Sequence, residues 1–172
     1  MKKILIILAV IILILSSEKT EKVTIPKEAI RFRVIANSNN EEDQKIKKEI
    51  TNNLNKEFYK LNQVNNIYDA KEQIELHIPL VRAIVEETLE KNKLVKKYDV
   101  NYGLNYFPEK EYNGVIYPEG EYESLVVTIG DGLGENFWCV LFPPLCLLEA
   151  KETDTTDIEY TSFIKEVIEK YF

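Results

Sequence analysis

Histidine, tryptophan and cysteine are nearly missing from this chain of 172 residues, which has His77, Trp138, Cys139 and Cys146 and no others of those types. One histidine excludes the zinc sets that need two. The two cysteines lack the close C-x-x-C spacing of redox and zinc motifs. Long blocks of like charge are also absent, so a solvated surface accounts for most of the 22 basic and 29 acidic residues. The net charge of -7 comes without the clustered basic footprint that nucleic-acid binders need. There is no internal repeat and no low-complexity tract. What is present is an ordinary hydrophobic content of 45%. In a chain of this length that supports one domain whose core needs no disulfide.

The densest stretch runs from Gly130 to Cys146. It holds three of the six glycines, two of the six prolines, the tryptophan and both cysteines. A dinucleotide fingerprint puts glycine at its sixth position, where this chain has Glu135. A phosphate loop needs Gly-Lys-Ser or Gly-Lys-Thr, and a nucleophile elbow needs a serine between glycines. Gly-Asp-Gly-Leu-Gly has none of these, so a glycine-rich reversal next to a strand is the better reading. A cysteine–histidine nucleophile would have to join His77 to Cys139 or Cys146, and nothing in the sequence brings them together. Buried structural cysteines are the default. A disulfide between Cys139 and Cys146 stays open if the chain is exported. Glu119, Glu121, Glu123 and Asp131 could supply an acid–base pair, but a solvated charged edge explains them more simply.

Met1-Lys2-Lys3, the apolar run Ile4 to Leu15 and Ser16-Ser17 have the form of an export signal. As a helix, the run covers about 18 Å, short of the roughly 30 Å hydrocarbon core. Residues 1–17 are therefore a cleaved signal peptide or, because Ile14 and Leu15 fit a cleavage site poorly, a short membrane anchor. Residues 18–29, polar and with Pro26, are expected to be a tether. Residues 30–172 are expected to form a single domain, with 151–172 as a terminal extension carrying a helix.

Ile30 to Ala36 is rich in strand formers. Ser38 with Glu41, or Asn40 with Asp43, fits a capping box for an amphipathic helix over 41–60. Asp69 and Glu72 would cap a second helical region over 70–92, which Pro79 either kinks or divides. Tyr98, Val100, Tyr102, Leu104 and Tyr106 alternate with polar residues, which predicts a strand with its tyrosines in the core. Residues 115–117 and 125–129 read as strands. Phe137 to Phe142 is a strand or a buried helical turn, and Ile158 to Phe172 reads as a helix. The fold expected is α+β: two layers, mainly antiparallel sheet, helices on one face, with the export helix in front.

Three blocks carry a resemblance. They are Ile30-Arg-Phe-Arg-Val-Ile-Ala-Asn-Ser-Asn-Asn-Glu-Glu-Asp-Gln44, Tyr117-Pro-Glu-Gly-Glu-Tyr-Glu-Ser-Leu-Val-Val-Thr-Ile-Gly130 and Gly134-Glu-Asn-Phe-Trp-Cys-Val-Leu-Phe-Pro-Pro-Leu-Cys146. In order and spacing the chain resembles the stage II sporulation protein R family of endospore-forming bacteria over about residues 25–148. Two departures are Phe137, where a second tryptophan is expected, and the Phe32-Arg33 pair. The resemblance implies a messenger exported from the forespore into the space between forespore and mother-cell membranes. There it would activate a membrane-embedded aspartic protease of the mother cell, stage II sporulation protein GA, which processes the precursor of sigma factor E. It implies no enzyme activity, cofactor, metal, nucleic acid or small-molecule substrate, and only the N-terminal segment would meet a membrane.

Aromatic and arginine residues dominate binding hot spots, so Arg31, Arg33, Phe137 and Trp138 are the candidate partner-binding residues. Phe137 and Trp138 are equally good core residues. Two rival classes stand beside the messenger. One is an exported cell-wall hydrolase using Cys139 or a carboxylate pair, and the other is a passive envelope interaction module.

Overall fold

The computed structural model describes residues 23–59, 64–94, 96–146 and 157–172. The expected export segment, residues 1–17, lies outside them. In chain order the elements are β1 (Val23–Thr24), β2 (Ile30–Ile35), α1 (Glu41–Phe58), α2 (Ile67–Lys91), β3 (Tyr98–Phe107), β4 (Lys110–Tyr112), β5 (Val115–Tyr117), β6 (Gly120–Ile129), β7 (Asn136–Phe142) and α3 (Asp157–Tyr171). The fold is α+β.

Helix α1 forms because four signals agree. Asn40 caps it by accepting from the Asp43 N–H at 2.7 Å. Glu41, Glu42 and Asp43 sit at the positive end of the helix dipole and Lys56 at the negative end. Ile46, Ile50, Leu54 and Phe58 recur every fourth residue and are all buried. Of the two capping pairs expected, Asn40 with Asp43 is the one used.

Helix α2 begins three residues before the expected start. Its cap is Asn66, which accepts from the Asp69 N–H at 3.0 Å and donates to the Asp69 carboxylate at 2.7 Å. That reciprocal pair outcompetes one built on Asp69 and Glu72. The helix runs unbroken through Pro79. Pro79 is exposed, so the carbonyl left without its usual donor can turn to water.

The main sheet has the order β3-β6-β2-β7. β3 pairs antiparallel with β6, and β7 with β2. The central pair, β2 with β6, is parallel, with Arg31 beside Ser124 and Val34 beside Val127. Short turns enforce antiparallel neighbours only between consecutive strands, and these two are far apart in the chain.

Phe32, Val34, Val100, Leu125, Val127, Cys139 and Leu141 point to one face of this sheet. There they form a single core with the buried stripes of α1 and α2. Each large side chain so buried contributes about 1.5–3 kcal/mol. This is the helix-covered face that the periodicity predicts. Phe137–Phe142 is a strand rather than a helical turn.

Two expectations are corrected. The 18–29 segment is not simply a tether: Val23–Thr24 pairs parallel with β5, and Ile25 and Ala29 are fully buried. They belong to a second cluster with Val115, Val140, Leu145, Tyr160 and Ile164, between a small sheet of order β1-β5-β4 and helix α3. The domain therefore starts earlier, because Val115 and Ile164 need an apolar cover that Val23, Ile25 and Ala29 supply. Tyr106 is 58% exposed, whereas Tyr98 and Tyr102 pack against the core. The alternation of β3 continues past the end of the helical layer.

A candidate partner-binding cleft on the outer face

Strand β2 alternates, so Arg31 and Arg33 share the face away from α1 and α2. Trp138 joins them because it is paired with Arg33 across β2 and β7. Sequence alternation places such arginines in solvent, but this face is roofed. Phe107, at the end of β3, is fully buried, and its ring meets Trp138 edge-on at 4.9 Å. Both guanidinium groups lie over that ring, Arg33 at 4.7 Å and Arg31 at 5.2 Å. Arg31 also stacks on Tyr122 at 3.4 Å. Arg33 lies 5.5 Å from the Trp138 ring, and Lys110 from β4 lies 4.5 Å from it. Three cations thus lie over three aromatic rings, each contact worth about 0.5–2 kcal/mol.

Arg31 is 1% exposed. Its Nη2 donates to the Pro118 carbonyl at 3.1 Å, which also accepts from the Tyr122 hydroxyl at 3.0 Å. Among the described residues, its Nε and Nη1 meet no acceptor, and neither does Nε of Arg33. Among the described residues no carboxylate pairs with either arginine. Burial accordingly holds both guanidinium groups below the usual arginine range. Arg31 lines a cleft of about 290 Å³ between the main sheet and the β4–β5 hairpin, with Lys110, Tyr112, Tyr117, Asn136 and Trp138.

Three of the four candidate partner residues therefore come together: Arg31, Arg33 and Trp138. Phe137 borders the cleft, but its ring turns to the opposite face against Phe32, at 6.0 Å. Neighbours on a strand point oppositely, and that rule alone could have separated it from Trp138. Lys110 and Asn136 line the cleft, and Phe107 and Tyr122 hold its arginines, without a local sequence signal, since a long-range arrangement of strands delivers them.

The other candidate chemistries have structural work to do. Gly130 and Gly132 adopt positive φ of 59° and 65°. A Cβ on Gly130 would lie 2.0 Å from Asn37 Oδ1, and one on Gly134 2.4 Å from the Ser38 carbonyl oxygen. The Asn37 side chain accepts from the Asp131 N–H, and the Asn39 side chain from the Glu135 N–H. The glycine loop is thus clamped to the Asn37–Asn40 turn. The same turn surrounds Asp43, which accepts from Asn37, Ser38 and Asn40 and pairs with Lys96. Burial pushes the Asp43 carboxyl up, but the hydrogen bonds from Asn37, Lys96 and Ser38 prevail and hold it down to about 2.

Cys139 and Cys146 are joined in a disulfide with Cα atoms 5.3 Å apart. His77 Nδ1 contacts the Gln73 carbonyl of its own helix at 2.6 Å. Neither thiol is left for a cysteine–histidine pair. Glu123 accepts from Tyr102 at 2.6 Å and pairs with Lys71 at 2.5 Å, and burial followed by Glu123 pushes the Tyr102 hydroxyl up. Glu119 accepts from Tyr106, and Glu119, Glu121 and Asp131 are exposed. Among the described residues no group of histidine, cysteine, aspartate and glutamate could hold a metal ion.

A family profile for stage II sporulation protein R matches residues 26–152. This chain belongs to that family. It is 39% identical to the stage II sporulation protein R of Bacillus subtilis (strain 168) over 163 residues, which cover 87% of this chain and 73% of the relative. No solved structure matches the chain. Membership in the stage II sporulation protein R family supports a role in sporulation. All four candidate partner residues fall within the matched span.

Proposed function

We propose that this chain is an exported messenger between forespore and mother cell. It is not an enzyme. In the intermembrane space it engages the membrane-embedded protease, stage II sporulation protein GA, and activates it toward the precursor of sigma factor E. The single observation that carries a binding role is the outer face, where Arg31 and Arg33 sit beside Trp138 with guanidinium nitrogens lacking acceptors. Groups of that kind fit a binding surface better than a self-contained core. Family membership supports the sporulation setting.

Reconstituting this chain with the protease and the sigma-factor precursor in vesicles tests the reading. Precursor cleavage that depends on the chain is the expected result. Cleavage that proceeds equally without it would remove the proposal. Binding with no change in cleavage would leave only a passive interaction module. The hydrolase alternative predicts that Cys139→Ala abolishes activity at full folded yield. Here that change lowers stability and leaves the activity of the folded fraction intact.

A further inference from the structure

We infer that the cleft at Arg31 binds an acidic side chain, aspartate or glutamate, presented by a peptide segment of a protein partner. A guanidinium taken out of water ordinarily finds a carboxylate or a full set of acceptors. Arg31 has one carbonyl and two aromatic rings, and its Nε and Nη1 are bare. Arg33 lies over the same Phe107 ring, and its Nε is bare as well. Lys110 adds a third positive charge at the lip, above Trp138.

Like charges crowded in this way repel, and the chain as a whole is acidic at -7. A local positive site on an acidic protein is electrostatically complementary to an anionic group. The walls then choose the kind of anion. Trp138, Tyr112 and Tyr117 give the cleft aromatic sides, which suit a peptide whose carboxylate is flanked by apolar or aromatic atoms. A volume of about 290 Å³ accommodates one or two side chains and not a folded element. The Pro118 carbonyl holds the guanidinium through Nη2, so the remaining donors are oriented before the ligand arrives.

The choice of a peptide as the source rests on the reading of this face as a partner contact. The test therefore uses no protease. The full chain, held in mild detergent and labelled with ¹⁵N, is titrated with acetyl-Phe-Asp-amide, with acetyl-Phe-Asn-amide and with inorganic phosphate. The guanidinium Nε–H signal of Arg31 and the indole N–H of Trp138 are followed by NMR. Saturable movement of both signals by the aspartyl peptide is expected, with the neutral asparaginyl peptide about tenfold weaker or worse. Arg31→Gln should abolish the response. Because that position is buried, Lys110→Glu at the exposed lip is the second variant, and it should weaken the aspartyl peptide at least severalfold without changing the fold. Equal responses to the two peptides, or none, would overturn the assignment. So would tighter saturation by phosphate. Failure here leaves protease activation standing. Peptide binding without protease activation would remove the messenger reading and keep the site.

Discussion

The two faces of the main sheet obey different rules. On the inner face, Phe32, Val34, Leu125 and Val127 are fully buried against α1 and α2, and all four are apolar. On the outer face the same strands carry Arg31, Arg33 and Ser124, and Arg31 and Ser124 are as completely buried. Burial alone explains the first face. On the second, an aliphatic side chain in place of Arg31 would avoid the desolvation of a charge, so stability does not account for the arginine. A face that retains cations at such a cost is where function is to be sought.

The largest effect should come from the inner face. Phe32→Ala removes a ring in edge-on contact with Phe58 at 5.2 Å and should cost about 3–5 kcal/mol in chemical denaturation. Next comes the rim between the faces. Gly130→Ala puts a Cβ into Asn37 at a positive φ and should cost about 2–3 kcal/mol, measured the same way. Asp43 gives the third effect. Its carboxyl is held at about 2 against an ordinary 3.8. Its contribution is therefore complete above about pH 4 and is lost as the pH falls from about 4 to about 2. Across that window the native chain should lose the equivalent of ~2 kcal/mol more, by denaturation midpoints, than Asp43→Asn, which starts lower and keeps only the pH dependence of the other carboxylates, Glu49 among them.

The smallest effect on stability should come from the outer face. Arg31→Met should remain within about 1 kcal/mol of the native chain, or exceed it, while protease activation falls. A loss above about 3 kcal/mol would make Arg31 a core residue like Phe32 and erase the distinction between the faces.

What the sequence revealed follows the same division. The inner face repeats at periods two and four, so β2, α1 and β3 can be read from the spacing of Phe32, Ile46, Ile50 and Tyr102. The cap Asn40 was legible because its partner lies three residues away. The capping of α2 by Asn66 was missed because Asp69 imitates a cap. Strand β1 has two residues and no period. The outer cleft was half legible: arginine and tryptophan composition pointed to it, but Phe107, Tyr122 and Lys110 arrive from strands that no local pattern connects. The burial of Arg31 depends on that long-range roof, and alternation alone assigns it to water.

The parallel pairing of β2 with β6 has a consequence for how the molecule is made. The first long strand is also one of the central pair, and both of its neighbours, β6 and β7, belong to the last third of the matched span. A chain that emerges amino end first, from a ribosome or through a translocation pore, holds β2 without hydrogen-bonding partners until nearly everything else has followed. Strand order thus makes closure of the main sheet a late event of synthesis, ahead of α3, and a chain stopped short of β6 has α1 and α2 but no main sheet for them to cover.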